Sequence, residues 1–220
     1  MSKRPSLAVA PVSLLAEPDL SPAHKRAIEG ALRWAWAQLA VANPKVLRNG
    51  TEEEVTYALQ EILNDRENGH RRAPGLGDFE NVTRGESQKT SDGRLKKMPD
   101  LTFRPPVYPP VTNTTHWGCF VEAKLIGGAA TVGLYCENGV QRFANGEYAA
   151  RMQSGMMLAY VRDGRKPIAA LKSRLPLYGA DVLSPRTTDD ACLSNHQRSA
   201  LQPRACVEIE LLHLWLQVLT

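Results

Sequence analysis

The segment that most constrains the fold of this chain is Trp117–Ile126, WGCFVEAKLI in one-letter code. It is apolar on both faces of an extended backbone, except where Glu122 and Lys124 interrupt it. Such a strand is typical of the centre of a sheet that is covered on both sides. Because Glu122 and Lys124 lie two positions apart, their side chains project from the same face. The segment therefore predicts a central strand that carries a charged pair.

The charged pair has structural and functional interpretations. Charges in a covered strand cost several kcal/mol unless they are paired or bind a metal. A buried Glu–Lys ion pair, or a strand end where both groups reach water, would satisfy that requirement without any function. The triplet Glu122-Ala123-Lys124 does not decide between them by itself, because a chain with this many acidic residues and lysines contains such a triplet by chance.

Asp100 supplies a second signal. It follows Pro99 on the strand that we predict before the central one. An antiparallel neighbour would bring its carboxylate beside Glu122, where two negative charges repel unless a divalent cation lies between them. Hard carboxylate oxygens suit Mg²⁺, with Mn²⁺ as a substitute. With the ammonium of Lys124 added, the arrangement suits phosphodiester hydrolysis.

The surrounding sequence predicts a single α/β domain. At 220 residues the chain is long enough for one well-buried domain and short for two. We expect a flexible leader over residues 1–20 and one domain over residues 21–220. Without the apolar core of a signal peptide or a bilayer-spanning stretch, we expect a cytoplasmic protein with no membrane partner. The net charge of +4 is compatible with a polyanionic partner and does not require one.

Local signals place the other elements. Ser21-Pro22 is typical of a helix start, and the apolar spacing carries that helix to about Ala42. Thr51 and Glu54 form a capping-box pattern for a second helix. The further elements that we predict are a helix over 52–66, strands near 79–84, 98–104 and 117–126, a helix over 141–162, a short strand over 167–171 and a final strand over 207–219. A helix is the open alternative for the last of these.

Pro99-Asp100, followed after a loop by Glu122-Ala123-Lys124 on an apolar strand, resembles the signature of the PD-(D/E)xK nuclease superfamily. The resemblance covers residues 50–172. It implies a restriction-endonuclease-like α/β core, with a central mixed β-sheet flanked by helices and, in this chain, an added N-terminal helix.

The resemblance also implies roles for individual residues. The catalytic residues would be Asp100, Glu122 and Lys124. Asp100, Glu122 and the Ala123 backbone carbonyl would bind Mg²⁺. Many members place a further glutamate of the first core helix near the metal, and here the candidates are Glu54 and Glu53. The capping box explains Glu54 equally well.

Nucleic-acid contacts are implied more loosely. Gln141, Arg142 and Tyr148 match residues that several branches place near the phosphate, and Lys96 and Lys97 flank the proposed active strands. Ordinary surface and core roles explain these residues equally well. The resulting hypothesis is a Mg²⁺-dependent endodeoxyribonuclease, acting in phage defence or mobile-element functions as a homodimer or in a larger defence complex. The alternative is a nucleic-acid-binding or interaction module that kept the nuclease fold and lost catalysis.

Overall fold

The computed structural model describes residues 16–85, 98–106, 111, 114–128, 130–185, 188–198 and 206–218. Its α-helices are α1 (Pro22–Ala42), α2 (Pro44–Asn49), α3 (Glu52–Asn64), α4 (Val132–Tyr135), α5 (Gln141–Ala144) and α6 (Ile168–Arg174). Its strands are β1 (Arg66–Glu67), β2 (His70–Arg71), β3 (Leu101–Phe103), β4 (Cys119–Ile126), β5 (Ser154–Val161), β6 (Ala180–Pro185), β7 (Ala191–Gln197) and β8 (Glu208–Gln217).

Six of these strands form one mixed sheet in the order β3-β4-β5-β8-β7-β6. The central strands β4, β5 and β8 are parallel, while β3 at one end and β7 and β6 at the other pair antiparallel. All eight residues of β5 are buried, as expected for a strand with parallel neighbours on both sides. The short strands β1 and β2 form a separate hairpin.

Helices cover both faces of the sheet. On one face, Trp36 of α1 stacks on Tyr160 of β5 with ring centroids 5.5 Å apart, and its indole N–H donates to the Gln217 carbonyl. On the other face, α4 continues through a π-helical turn over Cys136–Val140 into α5, and Tyr135 packs against Trp215 of β8. The prediction of an α/β protein with a mixed sheet flanked by helices and an N-terminal helix is therefore confirmed.

Both predicted helix starts are confirmed. The Ser21 hydroxyl accepts from the His24 N–H at 3.1 Å, and α1 runs to Ala42 as expected. Thr51 and Glu54 form the capping box of α3, which ends at Asn64, slightly before the expected position. The intervening α2 was not predicted. It begins where the Asn43 side chain accepts from the Val46 N–H.

The helix predicted over residues 141–162 is wrong. Only Gln141–Ala144 is helical, and residues 154–161 form β5. Gly146 and Ala149 have φ values of +68° and +51°, which are incompatible with a continuing right-handed helix. The apolar run that follows is short enough for a fully buried strand, and periodicity cannot distinguish that strand from a buried helix. Conversely, the helical residues 132–140 lie in a glycine-rich stretch between predicted elements, where the sequence pattern indicates no helix.

Three further elements test the predicted order. The strand predicted over residues 167–171 is wrong, because α6 begins at Ile168. The final strand is confirmed as β8. The segment predicted as a strand near 79–84 runs beside β3 but forms only an isolated bridge, in which Thr83 and Thr102 exchange backbone hydrogen bonds.

The packed chain begins before residue 21, so the predicted leader is too long at its C-terminal end. Leu20 is buried, the Glu17 N–H donates to the Arg151 carbonyl, and the Trp117 indole donates to the Pro18 carbonyl. Residues 1–15 lie outside the described part of the chain. Among the described residues, no helix has both the length and the apolar character needed to cross a membrane.

A buried chain of hydrogen bonds links α4 to β8 and β7. The Tyr135 hydroxyl lies 2.7 Å from His213 Nδ1, and the Ser194 hydroxyl lies 2.7 Å from both His213 Nε2 and His196 Nε2. His196 Nδ1 lies 3.1 Å from the Tyr178 carbonyl, which can only accept. His196 therefore donates through Nδ1, Ser194 donates to His196, His213 donates to Ser194, and Tyr135 donates to His213. Every group in this chain is satisfied when both histidines are neutral.

Candidate active site

Asp100 and Glu122 lie side by side at the junction of β3 and β4. Leu101 pairs with Val121 in the antiparallel register, so the residue before Leu101 is placed beside Glu122. The Asp100 carboxylate accepts a hydrogen bond from the Ala123 N–H at 2.7 Å, which fixes it against β4. The backbone pairing thus brings together two carboxylates that are 22 positions apart in sequence.

The Lys124 ammonium lies among the oxygens of this cluster. Its Nζ is 2.9 Å from Glu122 Oε1 and 3.9 Å from Asp100 Oδ2. It also donates to the Ala123 carbonyl at 2.6 Å and to Glu52 Oε1 at 2.8 Å. One ammonium therefore contacts three carboxylates and a main-chain carbonyl, with only 13% of the lysine side chain exposed.

The helix glutamate in this cluster is Glu52, the first residue of α3. Its second oxygen accepts from the Leu125 N–H at 2.9 Å, so its carboxylate bridges the Lys124 side chain and the β4 backbone. The two candidates from the sequence are placed elsewhere. Glu54 accepts from Thr51 in the capping box, which lowers the Glu54 pKa, and Glu53 pairs with Arg84 at 2.9 Å.

Arg142 approaches Glu122 from the opposite side to α3. Its Nη1 donates to Glu122 Oε1 at 2.5 Å and to the Tyr148 hydroxyl at 3.0 Å. The Tyr148 hydroxyl in turn donates to the Met98 carbonyl at 3.0 Å, two residues before Asp100. Tyr148 is buried in a turn after α5 and not on a helix, whereas Gln141 is exposed on α5. Lys96 and Lys97 lie outside the described residues.

Burial and neighbouring charges shift the pKa values of the three charged residues at the centre of the site. Burial, reinforced by the Asp100 charge, raises the pKa of Glu122 to about 7, although Lys124 and Arg142 oppose the shift. Burial likewise raises the pKa of Asp100. Burial alone would lower the pKa of Lys124, but the surrounding carboxylates outweigh it and raise that pKa, so the ammonium stays charged.

The donor set fits a hard divalent cation. Asp100, Glu122 and the Ala123 carbonyl offer only oxygen, the ligand that Mg²⁺ prefers. Glu122 Oε2 is buried and has no hydrogen-bond partner among the described residues, so one acceptor of the pair is unsatisfied. The described residues contain no group of three or more His, Cys, Asp or Glu side chains placed to hold a metal ion. A cation would therefore depend on the two carboxylates together with the main-chain carbonyl.

Comparison with known proteins finds no relative of this chain. No family model matches the chain, and no curated protein or solved structure matches it. The resemblance to the PD-(D/E)xK nucleases thus stays a prediction, and function is argued from the site itself.

Proposed function

We propose that this protein is a Mg²⁺-dependent nuclease of the PD-(D/E)xK kind, with a restriction-endonuclease-like core, that hydrolyses phosphodiester bonds in DNA. One observation carries the proposal: two adjacent antiparallel segments bring Asp100 beside Glu122, with the Lys124 ammonium 2.9 Å from the Glu122 carboxylate. This is the grouping of two hard ligands and one cation that phosphodiester hydrolysis needs.

Asp100, Glu122 and the Ala123 carbonyl would hold the cation. When bound, Mg²⁺ would lower the pKa of a water molecule and neutralise charge on the phosphate. Glu122 Oε2, which has no hydrogen-bond partner in the part of the chain that the structure describes, supports this assignment, since a buried carboxylate oxygen without a partner is costly. The hydrogen bond from the Ala123 N–H holds the Asp100 carboxylate in place before any cation arrives.

Lys124 acts through its charge. Because the surrounding carboxylates raise its pKa, it is a poor general base and a permanent cation at neutral pH. A fixed ammonium beside the scissile phosphate stabilises the extra negative charge of the transition state. Glu52 holds that ammonium by direct contact, so it is a positioning residue in this scheme.

A non-catalytic alternative has one observation in its favour. Glu122 is contacted by both Lys124 and Arg142, and a buried carboxylate between two cations is also what a purely structural ion-pair network would contain. In that case the protein would be a nucleic-acid-binding or interaction module with the same fold.

A cleavage assay separates the two functions. Purified protein is incubated with supercoiled plasmid, linear duplex DNA and RNA, each in Mg²⁺, Mn²⁺, Ca²⁺ or EDTA, and Asp100→Asn serves as the matched inactive control. We expect DNA cleavage in Mg²⁺ and Mn²⁺, little in Ca²⁺ and none in EDTA or with the variant. Cleavage that persists after exhaustive chelation would contradict the mechanism, and binding without cleavage would favour the non-catalytic module.

A further inference from the structure

Arg198 is a buried arginine whose guanidinium is surrounded by main-chain carbonyls. It follows β7, and only 5% of its surface is exposed. Its Nε donates to the Phe143 carbonyl at 2.9 Å. The two terminal nitrogens donate to the carbonyls of Tyr148, Ala149, Ala150 and Met152 at 3.1–3.3 Å. Burial lowers the pKa of Arg198 to about 10, so the group still carries its charge at neutral pH.

All five carbonyls belong to one segment, residues 143–152, which contains the end of α5 and the irregular chain that leads to β5. A guanidinium has five N–H groups in a fixed planar fork, so five acceptors use its full capacity. The segment also contains a non-glycine residue, Ala149, at φ +51°, a conformation that persists only when the surroundings impose it. Arg198 is thus the organising group of a segment that has little regular secondary structure of its own.

This segment reaches the candidate active site through Tyr148. The Tyr148 hydroxyl accepts from Arg142, which donates to Glu122, and donates to the Met98 carbonyl, just before Asp100. A path of direct contacts therefore runs from Arg198 through the backbone of the segment to the Glu122 carboxylate and to the Met98 carbonyl, two residues before Asp100. Arg198 itself lies beyond β7, on the far side of β8 and β5 from β4 in the sheet order.

We propose that Arg198 is a positioning residue of the candidate active site, which holds Tyr148 and Arg142 where they fix Glu122 and the approach to Asp100. The proposal rests on the proposed function. Its physical basis is that outer partners of ligand side chains set ligand orientation, and their loss typically costs on the order of 10- to 100-fold in metal affinity or activity.

The test compares Arg198→Lys with Arg71→Lys. Lysine keeps the charge but loses the planar fork, so it cannot satisfy five carbonyls. Arg71 is a matched control, because it is also buried and also donates to main-chain carbonyls, those of Leu76 and Glu80, in a different segment. Mn²⁺ binding is followed by the electron paramagnetic resonance signal of the free ion, and backbone protection by hydrogen–deuterium exchange.

We expect Arg198→Lys to speed exchange in residues 143–152 and to weaken Mn²⁺ binding on the order of tenfold. Arg71→Lys should speed exchange near residues 71–81 and leave Mn²⁺ affinity unchanged. A loosened 143–152 segment with unchanged Mn²⁺ affinity would overturn the proposal, as would an equal loss in both variants, which would indicate general destabilisation.

Tyr148→Phe breaks the same path at its far end and removes only one hydroxyl, so it tests the path even if Arg198→Lys does not fold. We expect it to weaken Mn²⁺ binding similarly, and the double variant to lose no more than the worse single variant. Unchanged affinity in Tyr148→Phe, or full additivity, would overturn the path. If the native protein binds no Mn²⁺, the proposed function fails. The positioning role is then tested by hydrogen–deuterium exchange alone: faster exchange of the β4 amides in Arg198→Lys would support it, and unchanged exchange there would refute it.

Discussion

Lys124 is the residue at which the catalytic and structural interpretations predict opposite outcomes. If Lys124 is catalytic, Lys124→Ala should lower the cleavage rate on the order of a hundredfold or more, because one well-placed charge is missing in the transition state. DNA affinity should change little, since it is spread over many cationic contacts. Gel cleavage assays, binding titrations and thermal melts measure the three properties, with the exposed Lys172→Ala as control.

Glu122→Gln should behave in the same way toward cleavage and bind DNA at least as well, because it removes a negative charge from the site. If Lys124→Ala and Glu122→Gln both melt at a much lower temperature than the native protein, the pair is instead a structural salt bridge. Unpairing one member of a buried ion pair typically costs about 3–5 kcal/mol, which a thermal melt readily detects.

Glu52 and Glu53 are neighbours on α3 with different partners, Lys124 and Arg84. Glu52→Gln keeps an oxygen for the Leu125 N–H but removes the charge that faces Lys124. We expect it to lower the cleavage rate about tenfold, as for other residues that hold a catalytic group in place. Glu53→Gln, one position along and paired with Arg84 at the surface, should leave the rate unchanged. Equal rates in both variants would contradict the positioning role of Glu52.

The proximity of Asp100 to Glu122 is predicted from the sequence and present in the structure, whereas the presence of Glu52 beside Lys124 is not predicted. This proximity could be predicted because consecutive strands usually lie side by side in a sheet. The choice among Glu52, Glu53 and Glu54 depends on the rotation of α3 about its axis, which is set by packing against the sheet. The capping box, given above as the alternative explanation of Glu54, is the role that its carboxylate has in the structure.

The helix caps could be predicted from the sequence, but the buried strand β5 could not. Ser21 and Thr51 mark their helices through local hydrogen bonds, so the signal is contained in a few residues. Strand β5 is defined by parallel pairing with β4 and β8, and β8 lies more than 45 residues away in sequence. Its short apolar run carries no periodicity that distinguishes a strand from a buried helix.

The buried chain between α4, β8 and β7 predicts acid sensitivity. Burial, with a contribution from His196, lowers the pKa of His213 to about 3 from an unfolded value of 6.5. The unfolded chain then binds more protons, so stability is complete above pH 6.5 and is lost as the pH falls from 6.5 toward 3. Between pH 7 and 5 this one group should remove roughly 2 kcal/mol from the free energy of unfolding.

Urea unfolding at the two pH values measures this loss. His213→Gln can still accept from Tyr135 and donate to Ser194 but cannot be protonated, so its stability should depend less on pH. His70→Gln, at an exposed position, should keep the native dependence. A pH dependence in His213→Gln equal to that of the native protein would contradict the assignment.

The candidate site lies at one end of the sheet, whereas Arg198, which we propose as its positioning residue, lies near the other end. Asp100 directly precedes β3, and β4 carries Glu122 and Lys124, while Arg198 follows β7 near the opposite end. This arrangement could not be predicted from the sequence. It results from the insertion of β8 between β5 and β7, and no local pattern specifies which distant strand fills that position.

The position of β8 has a consequence for the protein during its synthesis. Of the described strands it is the last to leave the ribosome, yet it occupies the interior of the sheet, so β5 has only one neighbour until residues 208–217 emerge. Nascent chains stalled with β8 still in the exit tunnel should therefore be digested readily between β5 and β7, and chains with β8 released should resist. If resistance to the protease instead rises gradually with chain length before β8 emerges, the expectation that β8 completes the sheet last is contradicted. Under the proposed function, nuclease activity would appear only after β8 has closed the sheet.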